Sequence, residues 1–322
     1  MGQATSLLYN VNVASSITAQ GRALVSSMTL HFEMILNNNV KFGSLNEVLQ
    51  YIDNIKNEGM TRKFNDRVIL QHWITPEECF ADLILTCGYR WVPSTSEMDI
   101  IWKVVNNLSQ IDRNRVYYKN NLFEFCSNPH VMNLIKNILH RLDEPILTSA
   151  SVPDYVMDDA LYFRELIMEY VYYRYMIIDR IDRCDNMIKS VTMVSDTDST
   201  IISLDGWYRF IMENIKDESF KIANDVPHPA MEEETPPLKE KVLDYNFETD
   251  EIIERERESN PSIIPANHAV KHSIINLLAF CLDKSVNDYM EKFCENTHSL
   301  NVNFHKDCKI IAKNEFTPKT NN

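Results

Sequence analysis

The stretch "VTMVSDTDSTIISL", Val191 to Leu204, sets two short apolar runs around a polar apex. Each run is dominated by Val, Met, Ile and Thr, residue types that suit strands, and Ser195 to Thr200 forms the compact polar turn between them. The pattern predicts a small antiparallel hairpin with Asp196 and Asp198 at its tip.

Outward from this hairpin the pattern is helical. Before it, Val13, Ile17, Gln20, Leu24, Met28, His31 and Ile35 recur at helical spacing, which predicts a helix over 11–36. Ser44 with Glu47, Thr75-Pro76 with Glu78, and Ser94 with Glu97 are capping boxes that open further helices. Residues 112–125 and 129–142 read as helical too, so 37–157 is expected to form a helical block. Asp158 and Asp159 open a long helix to about Ser190, with Phe163, Ile167, Tyr170, Ile177, Ile181, Cys184 and Ile188 on one face. Its tyrosines suit base stacking, but border positions of a core helix are the simpler reading.

After the hairpin comes a short helix through Trp207, Phe210 and Ile215. Residues 225–262 hold five prolines and an acidic run with little periodicity, which reads as a linker or mobile insertion. A long helix over 266–296 and a strand in "VNFHKDCKIIAKNEF" complete the pattern. The expected class is α+β, predominantly helical. Its segments are 1–36, a helical insertion 37–157, a core 158–224 bearing the hairpin, an acidic linker 225–262, and 263–322.

Composition sets bounds on function. With six glycines and neither a G-x-G-x-x-G nor a G-x-x-x-x-G-K-[ST] string, glycine-rich phosphate loops are excluded. The seven cysteines never form a C-x-x-C pair, so reduced thiols in a cytoplasmic protein are expected. No apolar run approaches the roughly 18 residues of a membrane helix, and no signal-peptide pattern opens the chain. Net charge is −14, but residues 225–258 carry 12 acids against 4 bases, a net of −8, leaving −6 for the rest. Nucleic acid therefore stays among the candidate partners, although no basic patch would recruit it alone.

The apex resembles motif C of family B DNA polymerases, Y-G-D-T-D-S: Asp196-Thr197-Asp198-Ser199 match, while Val194 and Ser195 replace the Tyr and Gly. Two more resemblances follow in order. "VASSITAQGRALVSSM", Val13 to Met28, is similar to the family's helix A-x-S-I-T-x-x-G-R-x-x-I, and Met1-Gly2 stands where the Tyr-Gly of motif B would be. "FHKDCKIIAKNEF", Phe304 to Phe316, resembles the strand before the family's K-K-x-Y motif, in the form that bacteriophage members carry. Motif A (D-x-x-S-L-Y-P), the motif B lysine and K-K-x-Y are not found in the chain.

The resemblance implies part of a polymerase palm, with the helices 11–36 and 158–190 packed beneath the hairpin sheet. It also implies nucleotidyl transfer assisted by two Mg²⁺ ions, which stabilise attacking and leaving oxygens and favour carboxylate ligands. By motif, Asp198 is the principal metal ligand, and Asp196 a lesser contributor through local electrostatics. Implied partners are primer-template DNA, deoxynucleoside triphosphates and other polymerase chains carrying the missing motifs, in a host bacterial cytoplasm if the protein is viral.

Two rivals share the residues. Asp196-Thr197-Asp198-Ser199-Thr200 also fits D-x-D-x-T, the nucleophile motif of haloacid-dehalogenase-like phosphatases, with Asp196 as nucleophile and Asp198 as acid/base. That fold needs alternating strands and helices after the motif, whereas "TIISL" continues as a second hairpin strand. A helical interaction protein is the non-enzymatic rival. His268 and His272, four apart, suit a shared metal but have neither an intervening H-E-x-x-H glutamate nor an evident third ligand.

Overall fold

Side chains three residues apart set the helix starts. The computed structural model describes residues 11–37, 41–61, 69–88, 90–119, 121–142, 152–172, 190–195, 200–215, 238–246, 251–259 and 266–298. In it α1 spans Val11–Asn37 and α2 spans Leu45–Thr61. Helices α3 (Pro76–Cys87) and α4 (Thr95–Asn106) each start at a complete capping box. The Thr75 and Ser94 hydroxyls accept from the N–H of Glu78 and Glu97, whose carboxylates accept from the N–H of Thr75 and Ser94. At α2 the box is skewed. Ser44 Oγ accepts from Glu47 N–H at 3.3 Å, but the Glu47 carboxylate accepts from Gly43 N–H at 2.8 Å, one residue early.

The helix expected over 112–125 is two helices, α5 (Gln110–Tyr118) and α6 (Leu122–Ser127). Lys119 leaves the helical region, with ψ 130°, and the Asn121 side chain caps the new start by accepting from Glu124 N–H. Helix α7 (Pro129–His140) follows, its buried face formed by Val131, Ile135 and Ile138.

The helix expected over 158–190 also differs. Helix α8 begins earlier, behind Pro153, and runs Asp154–Leu166, then widens into a π turn at Ile167–Val171 and ends with Tyr172 extended. Phe163, Ile167 and Tyr170 are buried as the periodicity predicts, while Ile177, Ile181, Cys184 and Ile188 lie outside the described residues. The termination has a distant cause: Lys119 Nζ donates to Glu169 O at 3.1 Å and Tyr172 O at 2.5 Å, taking carbonyls that a continuing helix would use.

Strands β1 (Thr192–Ser195) and β2 (Thr200–Ile202) pair antiparallel, as expected. Helix α9 (Asp205–Ile215) buries Trp207, Ile211 and Ile215. Where the sequence reads as a linker, β3 (Leu238–Asn246) and β4 (Glu251–Ser259) form an antiparallel pair. Its register sets Lys239 opposite Glu258, Glu240 opposite Arg257 and Lys241 opposite Glu256. Helix α10 spans Ala266–His298. The terminal strand expected within 302–316 lies outside the described residues.

One continuous cluster of buried apolar side chains joins α1 to α10 and includes the helices of the 37–157 block. Helix α10 packs on α1, α7, α8 and α9. Among the described residues no helix is long and apolar enough to cross a membrane. Among the described residues the protein is thus predominantly helical, with two small antiparallel strand pairs.

Candidate functional site

The hairpin geometry starts from its register. Ser195 faces Thr200, Val194 faces Ile201 and Thr192 faces Ile202, with a register shift between Thr192 and Val194. The shift breaks the in-out alternation, so the neighbours Met193 and Val194 are both exposed, at 67% and 57%. Ile201 is exposed as well. Ser203 N–H donates to Val191 O at 2.8 Å and closes the open end of the hairpin.

Asp196 and Asp198 belong to the four-residue apex 196–199, which lies outside the described residues. The structure fixes Ser195 and Thr200, the residues on either side of it, which pair across β1 and β2.

Helix α1 lies against both strands, as expected of the helix beneath the sheet. The contact is polar at its centre. Glu33, fully buried, points its carboxylate at the incoming strand. Its Oε1 accepts the N–H groups of Ser190 at 3.1 Å, Val191 at 3.0 Å and Thr192 at 2.8 Å. Oε2 accepts from the Asn37 amide at 2.9 Å. Burial raises the Glu33 carboxyl, but the N–H donors of Thr192, Ser190 and Val191 outweigh it and hold the group below the usual carboxylate range. Beyond it, the Thr29 and Thr200 hydroxyls meet at 3.5 Å. Helix α8, also expected under the sheet, packs mainly on α7 and α10.

A different face of α1 meets α10 along a polar seam. Ser27 Oγ donates to Tyr289 Oη at 2.8 Å, and His31 Nε2 lies 3.2 Å from Ser285 Oγ. The His31 ring stacks on Tyr289 at 4.7 Å between centroids and meets Tyr172 edge-on at 5.5 Å. Burial lowers His31 to about 3, so the imidazole is neutral.

Sequence reasoning missed Glu33. The signal was present: in "LHFEMIL", Leu30 to Leu36, it is the one carboxylate in an otherwise apolar stretch with a single histidine. A helix buried on several sides shows no single apolar stripe, and the second half of α1 is of that kind. Its first half behaves oppositely, with Ile17 59% exposed.

Other chemical candidates are weaker. His268 and His272 lie in the opening turns of α10. Among the described residues, which exclude Asp196 and Asp198, no three His, Cys, Asp or Glu side chains gather as a metal site. The thiols of Cys79 and Cys126 are buried and pushed up to about 12 by desolvation, which makes them poor nucleophiles. A small cavity of about 10 Å³ beside Tyr51, Asp82, Thr86 and Lys119 has room for about one water molecule. Comparison with protein-family models, with curated proteins and with solved structures gives no match.

Proposed function

We propose that this chain is part of a DNA-directed DNA polymerase and contributes the carboxylate pair of a two-metal nucleotidyl-transfer site. One observation carries the reading. The strands on either side of the Asp-Thr-Asp-Ser string pair antiparallel, and they rest on the helix whose first half bears the A-x-S-I-T-like string. The contacts themselves fall at Thr29 and Glu33, in the half of α1 that follows the A-x-S-I-T-like string.

The donor set suits the implied cation. Asp196 and Asp198 offer hard carboxylate oxygens two residues apart on a short turn, which fits Mg²⁺ better than softer metals. Bound there, Mg²⁺ would supply charge stabilisation for phosphate oxygens in flight. In this reading Asp198 is the principal ligand and Asp196 tunes the local field. The motif A aspartate and motif B lysine come from polypeptide outside these 322 residues. The exposed Met193, Val194 and Ile201 offer apolar surface against which such polypeptide can settle.

The phosphatase reading fares less well. Its D-x-D-x-T strand feeds a parallel sheet, whereas β2 returns antiparallel to β1, and both sheets among the described residues are two-stranded and antiparallel.

Primer extension tests the proposal. The purified chain alone is expected to give no synthesis, and mixing it with polypeptide carrying the missing motifs is expected to restore it. Asp198→Ala should then reduce extension to the level of a no-enzyme control, with Asp196→Ala less severe. Synthesis by the chain alone, or full activity in Asp198→Ala, would overturn this assignment. Covalent capture of phosphate on Asp196 would instead favour the phosphatase.

A further inference from the structure

Strands of four and three residues cannot hold a direction by themselves, because an isolated two-stranded hairpin is marginal in water. Much of the hairpin is also exposed, at Met193, Val194, Ser195 and Ile201. What aims it must come from beneath. Three consecutive main-chain N–H groups, those of Ser190, Val191 and Thr192, converge on the buried Glu33 carboxylate at 2.8 to 3.1 Å from Oε1. Successive N–H groups turned to one anion form a nest, and charge-assisted hydrogen bonds of this kind are about twice as strong as neutral ones. The register shift begins at Thr192, the last of the three. The carboxylate therefore fixes the strand at the point where its register shifts.

We propose that Glu33 is the positioning residue of the strands 192–195 and 200–202, fixing on α1 the strand ends between which Asp196–Ser199 lie in sequence. What the apex then binds rests on the polymerase reading; the anchoring does not. The side chain never needs to touch a ligand. It acts by fixing the base of the hairpin from beneath. Asn37, which donates to Glu33 from one turn further along α1, holds the carboxylate rotamer in place.

The test uses the full chain with Glu33→Leu, which removes the acceptors, and Glu33→Gln, which keeps one oxygen and loses the charge. The first readout is hydrogen exchange at Ser203, whose N–H bonds Val191 O at 2.8 Å, so it reports the hairpin and not the lost bond itself. Amides of α7 serve as the control for global folding. The second readout is Mn²⁺-induced broadening of the apex signals, titrated to half-saturation. Glu33→Leu is expected to speed Ser203 exchange about 10-fold and to weaken Mn²⁺ binding about 10-fold, as loss of a group that orients metal ligands does. The α7 amides should stay protected, and Glu33→Gln should lie between the two.

Wild-type protection of Ser203 in Glu33→Leu would overturn the proposal, as would a loosened hairpin with unchanged Mn²⁺ affinity. If Glu33→Leu loses α7 protection too, Glu33→Gln decides, and wild-type Ser203 exchange there overturns the proposal. Absence of Mn²⁺ broadening in the unsubstituted chain would sink the polymerase reading alone, and Ser203 exchange would still decide the role of Glu33.

Discussion

Enclosed by Phe32, Tyr172 and Tyr289, the His31 imidazole is nearly out of contact with water, and burial lowers it to about 3. In the unfolded chain the same ring titrates near 6.5. Below that pH the unfolded state binds more protons, so stability falls as the solution is acidified from about 6.5 toward 3. Between pH 7 and pH 5 the loss from this residue alone is about 2 kcal/mol. Urea unfolding at the two pH values should show it, and His31→Gln should flatten the dependence by that amount. An unchanged pH dependence in the variant would mean that the ring is not held neutral. Glu33 has the usual carboxylate sign: its folded value is lowered, so its contribution is complete above about pH 4.3 and is lost as pH falls through the lowered value. Acid should therefore weaken the contact of α1 with α10 before it releases the hairpin.

At the scale of elements, local chemistry and distant chemistry divide cleanly. The capping boxes at Thr75 and Ser94 were legible because cap and partner lie three residues apart and need nothing else. The hairpin was legible for the same reason, through strand residues on either side of a polar turn. The break at Lys119 was not. It depends on carbonyls of Glu169 and Tyr172, at sequence separations of 50 and 53, and on the Glu58 carboxylate at 3.6 Å. Arg115 strengthens the junction through its 2.8 Å pair with Glu169. Periodicity cannot report a partner so far away, and it extended both helices across their true ends. Lys119→Met should cost on the order of 3 kcal/mol, because it strips a buried cation from a buried carboxylate. Adding Glu58→Gln should recover part of that loss in thermal melts, and a neutral Lys119→Met would show that the ammonium does not hold the junction.

For the whole molecule, the apolar cluster runs unbroken from Phe32 to Met290. The sequence divides naturally into segments, and the buried face of each helix was largely readable, yet which faces meet is a property of the assembled core. Trp207 in α9 and the helices of the 37–157 block share that core. Denaturant unfolding followed by tryptophan fluorescence and by far-ultraviolet circular dichroism should therefore give coincident transitions. Midpoints that separate clearly would show that the block unfolds on its own. Asp196 and Asp198 stand out as a candidate in four letters of sequence, and they lie outside the described residues. The anchor beneath the strands was not legible, since Glu33 meets its partners only at amides 157 to 159 positions later.

The seam between α1 and α10 also bears on the order in which the chain is made. Ser27 and Tyr289 are 262 residues apart, and His31 and Ser285 are 254 apart. At ribosomal speeds of about 5–20 residues per second, roughly 10–50 s separate the emergence of α1 from that of its partner. Throughout that interval the face of α1 that carries Ser27 and His31, both buried in the finished protein, has no α10 to cover it. A nascent chain in this condition is a natural client for a holdase chaperone until α10 emerges.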